Sequence, residues 1–556
     1  MKKNNNIFNI KTILFLCLSI IMFNACDDNH TETFEKTRLF RPVLNQDLFA
    51  EGNTIIVDMA KLKSAIGYNL EVSRDTFKTI EYTIQSDTNY VKINKDIVGE
   101  ELFWNTLYQV RAIALEPDTE FNSKISDLGN VKTNRFPSVL NIPNVFDVTD
   151  VAARVSWAVA GLPITGIKVF AADDLRLTTP LFNETVVSDI EQAAGESFVF
   201  GLEPKTSYQI AIYSGTELRG WIDYNTKVAD LDPTTPGVID LTTNEDPGAV
   251  VNAMASASEG DIILVKRGIE YTGPTTYLDK SVTIRGAYGF GAQKARLLFS
   301  GNLDLTENAT VNYMRFIDLE LRGTDWGGKY VINISKVGTL NELSFDNCFI
   351  TNFRGIGRIK TDGVTLNNFT INNSIVDSIG SYGVFTQDKS GSVLNNIKLS
   401  KSSFNHTIYF LASKNNSESL IIEDCTLANI NEEGRQMLRW REAGQNNISN
   451  GVTISNTIIG LGWDRANDGK SKIKGIDGLE ATLFNVTNTF TVSDFSWVSD
   501  ATTGEPINPI PNITVGNAGS TQADLWLDPE NNDFTIKNTG FPGKDSSGDP
   551  RWRLTL

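Results

Sequence analysis

Histidine is almost missing: His30 and His406 are the only two among 556 residues. That disfavours multi-histidine metal centres and most histidine-based catalysis. No zinc-type Cys/His spacing, P-loop or Ser/His/Asp constellation stands out either. Cysteine is scarce, with four in all, and the 17 Pro and 43 Gly are too few and too scattered for a collagen-like or proline-rich chain. After residues 13–23 no stretch approaches eighteen apolar residues, so the rest reads as soluble and exported. Positive charge is also short. Lys+Arg number 50 against 67 Asp+Glu, a net charge of −17 that argues against a general nucleic-acid binder. What is present is 40% hydrophobic and 10% aromatic residues, enough for folded domains, and a length that suits two to four of them.

The N-terminus gives an address. Met1-Lys2-Lys3 and Lys11 precede the apolar run Ile13 to Phe23, too short for a comfortable membrane span. Phe23-Asn24-Ala25-Cys26 resembles a bacterial lipobox, with Phe23 where Leu is common and Asn24 where Ser or Ala is common. The resemblance implies a lipoprotein signal peptide over 1–25 and acylation of Cys26, each buried methylene contributing about 0.8 kcal/mol of anchoring to outer-membrane lipid. A plain secretory signal with an incidental cysteine is the alternative. Losing Lys2, Lys3 and Lys11 brings the charge to about −20. Asp27-Asp28-Asn29 resembles the acidic tag of surface-exposed lipoproteins, which implies an outer-membrane location facing the exterior. Residues 26–36 read as a tether.

Two stretches, 37–135 and 139–229, read as short alternating strands between Asn, Asp, Gly and Pro turns. Leu102, Thr106 and Tyr108 recur as Leu202, Thr206 and Tyr208, an internal repeat of domain size. In each, leucine enters the core, the turn follows, and the tyrosine packs inward with its hydroxyl free to bond the backbone at the corner. Trp157 suits the core tryptophan of an early strand. Both copies resemble fibronectin type III modules; such modules can bind glycans, and the preferred reading here is spacers that hold a distal domain off the membrane.

After Asp232-Pro233-Thr234-Thr235-Pro236 the pattern changes. A helical stretch from Ala249 to Met254 leads into Gly260-Asp261 with an apolar run, then Ser281-Val282-Thr283-Ile284-Arg285-Gly286, which resembles the opening of pectin-lyase-like β-helices. Downstream, Phe345-Asp346-Asn347-Cys348 aligns with Ile371-Asn372-Asn373-Ser374, Leu399-Ser400-Lys401-Ser402, Ile422-Glu423-Asp424-Cys425 and Ile454-Ser455-Asn456-Thr457. With Leu319 as a looser member, the fourth position recurs at spacings of 29, 26, 28, 23 and 32. One rung per coil with variable loops marks a solenoid. Asn347, Asn373 and Asn456 then sit at a bend where amides can ladder. Cys348 and Cys425 fall three coils apart, roughly 14 Å, too far for a disulfide, so both read as reduced core residues. The fold class expected is all-β: two fibronectin type III-like sandwiches followed by a right-handed parallel β-helix over 237–556, closed by a C-terminal segment.

Taken in order, the lipidated cysteine, Arg38-Leu39-Phe40-Arg41-Pro42-Val43, the modules and the β-helix resemble surface lipoproteins of Bacteroidetes polysaccharide-utilisation loci. The resemblance implies capture or processing of an acidic glycan such as pectin, alginate or ulvan, with an outer-membrane glycan importer as a partner. A more distant likeness is to β-helical lyases.

A β-eliminating lyase must neutralise a uronate carboxylate, remove the neighbouring proton and protonate the leaving oxygen. The loops leaving the ladder supply cations: Arg354, Arg358 and Lys360 after one rung, Arg435, Arg439 and Arg441 after another. Residues 351–445 hold ten Lys/Arg and nine Asp/Glu, near neutral in an acidic chain. Alternation puts Arg439 and Arg441 on one side of a strand with Trp440 on the other, and Arg358 with Lys360 on one face. Facing outward together, the pairs would form a cationic groove of about 14 Å. The plainer alternative pairs them with Glu432, Glu433, Glu442 and Asp362 as a solvated face. Tyr382, Trp440 and Trp463 are the rings kept for stacking on a pyranose. His406 reads as structural, and Asp362, Asp377 and Asp388 lack calcium-loop spacing.

Three readings follow. The first is binding of an acidic polysaccharide by Arg354, Arg358, Tyr382, Arg439, Trp440, Arg441 and Trp463, with no cofactor or metal required. The second is a polysaccharide lyase on the same groove, with Lys360 as base, Arg358 or Arg441 as neutraliser, and Ca²⁺ admitted as a cofactor. The third is a structural adhesin. Binding is preferred because no compact catalytic constellation can be argued.

Overall fold

The computed structural model describes residues 36–554. The signal peptide, Cys26 and nearly all of the tether lie outside the described residues. The chain forms two compact units that divide after Ser138.

The first unit is an antiparallel sandwich. Tyr82–Ser86, Gly67–Ser73, Leu107–Leu115 and Ser126–Lys132 form one sheet, and Phe49–Glu51, Thr54–Asp58 and Tyr90–Ile93 the other. Strict alternation along Leu107–Leu115 buries Tyr108, Val110, Ala112 and Ala114 between them. The second unit opens with another sandwich, in which Thr185–Val186, Gly166–Ala171, Ser207–Ser214 and Glu217–Asn225 pair in one sheet and Ala152–Ser156 with Glu196–Phe200 in the other. Trp157 is buried there. The repeated corner behaves as its chemistry requires. Tyr108 Oη accepts from Phe103 N at 2.9 Å, and Tyr208 Oη from Glu203 N at 2.8 Å. An unpaired buried polar group of this kind costs about 1–3 kcal/mol. A threonine from the last strand completes both corners, Thr133 accepting from Thr106 N at 2.9 Å and Thr226 from Thr206 N at 2.8 Å.

From Val238 the chain winds into a parallel β-solenoid. One sheet stacks ten strands in a single path from Val238–Leu241 to Phe484–Thr487, and a second runs alongside it from Glu270–Thr272 to Thr514–Val515. The corner between them is the aligned rung. Asp318, Asn347, Asn373, Lys401, Asp424, Asn456 and Asn488 all have φ between 44° and 55°. Asn and Asp are the side chains that reach this left-handed region most readily, which is why they recur there. Hydroxyls at the next position tie coil to coil: Cys348 N donates to Ser374 Oγ at 2.9 Å and Ser374 N to Ser402 Oγ at 3.0 Å. Amides ladder as well, Asn488 Nδ2 donating to Asn456 Oδ1 at 2.8 Å, and Asn395 to Asn367 to Asn341 along the first sheet at 2.8 and 2.7 Å. Inside, Phe316 stacks on Phe345 at 5.3 Å, and Cys348 and Cys425 are free and buried.

The helix Ala249–Ser256 covers the N-terminal end with Val250, Ala253 and Met254 buried. The second sandwich packs against the solenoid through Phe198 on Phe290 at 4.9 Å and an ion pair between Arg285 and Asp230. The C-terminal segment lies along a flank of the coils. Trp526, Phe534 and Phe541 cover Ala428, Ile458 and Val492, and Arg551 reaches Asn373 O at 2.8 Å. The strands beneath, Ser403–Phe404, Thr426–Leu427 and Ile458–Ile459, are two residues long and buried on both faces, so that flank needed a cover.

Candidate functional site

The second sheet carries the cations. Strands Phe349–Ile359, Ile375–Gln387, Leu411–Ser413 and Gln436–Trp440 follow one another in register, bringing Arg358, Asp388, Ala412 and Arg439 onto successive coils. A cleft of about 410 Å³ opens over them, lined by Tyr382, Asp388, Tyr409, Arg435, Arg439 and Arg441 among others. The pairing of Phe349–Ile359 with Ile375–Gln387 slips between Phe353 and Gly355, and the extra residues lift Tyr382 outward. Gly355 makes room: a Cβ there would meet Tyr382 at 2.8 Å and Tyr330 at 3.2 Å.

Asp388 sits at the centre. It accepts Arg358 at 2.8 Å and Arg441 at 2.7 Å, with Lys414 at 3.8 Å. Arg439 pairs with Asp477 at 3.2 Å, and Glu432 takes Arg465 at 2.6 Å and Arg435 at 3.5 Å. Arg354 has Ser381 Oγ at 3.2 Å and lies over the Tyr382 ring at 4.7 Å; Arg358 covers the same ring at 4.2 Å. Arg435 lies over Tyr409 at 4.7 Å and is bonded to its hydroxyl. Together these groups hold seven cations and three carboxylates. Burial pushes the Tyr330 phenol beneath it up, against the pull of Arg354 and Arg358, which keeps that ring neutral. Among the described residues no group of three His, Cys, Asp or Glu is placed to hold a metal ion.

The structure thus brings together Arg354, Arg358, Tyr382, Arg439 and Arg441, and four expectations need correction. Trp440 is fully buried, its indole N donating to Ser417 Oγ at 3.2 Å, so it cannot stack on a sugar. The alternation that turns Arg439 and Arg441 outward turns it into the core. Trp463 is outside the cleft lining: its backbone pairs in parallel with Glu432, and its ring packs on His406 at 5.3 Å and Trp326 at 6.2 Å. Lys360 is exposed past the end of its strand and is not among the residues lining the cleft, which does not favour it as a base. Asp362, expected as an arginine partner, accepts Gly391 N at 2.9 Å. Sequence reasoning missed Asp388 as the shared acid and Tyr409 as the second covered ring. Asp388 directly follows Gln387, the cross-coil partner of Ile359, a register that only the stacked coils reveal.

His406, at φ 46°, is held by Asp377 at 2.8 Å and by Glu530 of the C-terminal segment at 3.2 Å. It is a structural clasp, not part of the cleft.

The folds define the class: fibronectin type III-like sandwiches with a parallel β-solenoid. Two family models match over the solenoid and its C-terminal segment, Domain of unknown function (DUF4957) over residues 269–411 and Domain of unknown function (DUF5123) over 420–552. No curated protein matches. Among solved structures, the chain is similar to the FN1–FN3 domains of chicken CNTN1, at 15% identity over 34% of this chain and 66% of that one, with a TM-score of 0.15. It is also similar to a two fibronectin type-III domain segment from chicken tenascin, at 17% identity over 34% of this chain and 99% of that one, with a TM-score of 0.15.

Proposed function

We propose that the chain is a surface lipoprotein of a polysaccharide-utilisation system, anchored through Cys26, whose pectin-lyase-like solenoid binds an acidic polysaccharide of the ulvan, alginate or pectin type. The observation that carries this reading is the cleft in which two arginines from different coils converge on Asp388 while more cations than carboxylates surround them. In a chain of net charge −17 such a surplus attracts an anionic polymer locally. Guanidinium groups accept a carboxylate or sulfate through paired hydrogen bonds, and Tyr382 and Tyr409 give flat rings beside them. A lyase on this face would need a base in the cleft, and Lys360 is not there.

The test incubates the full chain with alginate, pectate, ulvan and chondroitin. Retardation in a gel loaded with one of these, without ultraviolet absorbance from an unsaturated product, is the expected result. New absorbance, or no retardation by any of the four, overturns the binding reading.

A further inference from the structure

A second cavity, of about 820 Å³, opens between the second sandwich and the solenoid and shares no lining residue with the cleft. That volume suits an organic ligand and far exceeds the needs of a single inorganic ion. Lys227, Arg267, Arg285, Lys294, Lys401 and Arg551 line it, against Asp318, Asp346 and Asp549.

Those three carboxylates are already engaged. Asp318 takes Arg267 at 3.1 Å, Asn347 Nδ2 at 3.0 Å and Lys294. Asp346 accepts Asn372 Nδ2 at 2.7 Å. Asp549, buried, accepts Ser403 Oγ at 2.8 Å and faces Arg551 at 3.5 Å. Among the described residues Lys227 and Lys401 have no carboxylate at ion-pair distance. The Lys227 ammonium lies over the Tyr288 ring at 4.9 Å, with Arg285 at 5.6 Å from the same ring. Burial pushes the Lys227 ammonium down, Arg267 and Lys294 press the same way, and Asp318 and Asp230 only partly oppose them. The cavity is therefore short of negative charge. Its wall also carries Phe146, Phe349 and Ile375, which an inorganic anion would leave untouched.

Lys401 adds an independent observation. It stands at φ 49° in the corner that other coils fill with Asn or Asp, so a lysine occupies a left-handed position at some conformational cost and presents a cation to the cavity.

We propose that this junction is a second binding site, for the carboxylated or sulfated end of a sugar chain. The sugar class rests on the glycan reading above; a site for an organic anion with an apolar face stands on the cavity alone. The full chain is titrated calorimetrically with digalacturonate, with cellobiose and AMP as comparison ligands. Lys401→Asn removes a charge and supplies the residue the corner prefers, and Lys227→Met keeps an apolar stem on Tyr288. Each is expected to weaken one saturable digalacturonate event by roughly ten-fold, the loss of a charge-assisted contact, with the thermal midpoint not lowered, and raised in Lys401→Asn by relief of the left-handed lysine. An Arg439→Met/Arg441→Met chain, altered in the cleft, keeps that event. If the event survives Lys227→Met/Lys401→Asn and disappears in the cleft variant, the junction site is overturned and the cleft stands. The reverse pattern sustains the junction whatever the fate of the cleft. No saturable binding of digalacturonate, or cellobiose bound as tightly, overturns the proposal; AMP bound as tightly overturns the sugar class and leaves a site for an organic anion.

Discussion

Arg358 and Arg441, carried by coils three steps apart, end on the two oxygens of one carboxylate: Arg358 Nη2 is 2.8 Å from Asp388 Oδ2, and Arg441 Nη2 is 2.7 Å from Asp388 Oδ1. All three side chains are about one-fifth exposed, so the pairing is neither a freely solvated contact nor a dry one. Asp388 holds the arginines in place and, in doing so, competes with any anionic ligand for them.

Replacing Asp388 with Asn separates these two effects. Losing a partly buried charge partner costs about 1–3 kcal/mol, read as a lower thermal midpoint. The same change frees two guanidinium groups, so retardation by an acidic polysaccharide is expected to increase and to become more sensitive to salt. Weaker retardation would mean that the ligand needs the arginines held as they are.

Trp440 and Arg439, neighbours in the chain, separate the core from the cleft. Trp440→Ala empties a fully buried site and is expected to cost about 3–5 kcal/mol of stability, measured by urea denaturation. Arg439→Met leaves the denaturation midpoint nearly unchanged, since its partly exposed pair with Asp477 is worth at most about 1 kcal/mol, and weakens polysaccharide retardation.

The solenoid was legible because every coil must solve the same two problems at the same place. A left-handed corner selects Asn or Asp at 347, 373, 424, 456 and 488, and an inward position after it selects Cys, Ser or Thr. The duplicated tyrosine corner was legible for the same reason: a buried phenol needs a backbone donor, and Phe103 and Glu203 supply it. The cleft was only half legible. Alternation correctly turned Arg439 and Arg441 outward, and that same rule placed Trp440 in the core, since the inner side of a coil is the core. Asp388 and Trp463 depend on which residues loops of unequal length bring together across coils, and no local pattern carries that information.

Cys348 and Cys425 are fully buried, and desolvation pushes the Cys348 thiol up to about 12 and raises Cys425 as well. The thiolate is the reactive form. Neither is expected to react with iodoacetamide in the native chain at pH 8, and both are expected to react once it is unfolded in urea, as followed by mass spectrometry. Native labelling at either position would show that the coils open there.

The clasp at His406 sets a pH dependence. Burial opposes charge on the imidazole, but the hydrogen bonds and negative charges of Asp377 and Glu530 outweigh it and hold the histidine above its ordinary value. Asn429 Nδ2 approaches the same ring at 3.4 Å and Trp463 packs on it, so the two carboxylates are its charged neighbours among the contacts described. A group whose folded value is raised contributes stability that is complete below its unfolded value, near 6.5, and is lost as pH rises through the folded one. Stability is therefore expected to fall as pH rises from about 6.5 through the raised value, with the C-terminal segment loosening first because Glu530 belongs to it. His406→Asn suits the left-handed backbone and removes the titration. Amide exchange across residues 522–536, compared at pH 6 and pH 8.5 after correction for intrinsic rates, should show protection that declines with pH in the parent chain and a smaller decline in the variant. An equal decline in both would assign the pH response to other groups.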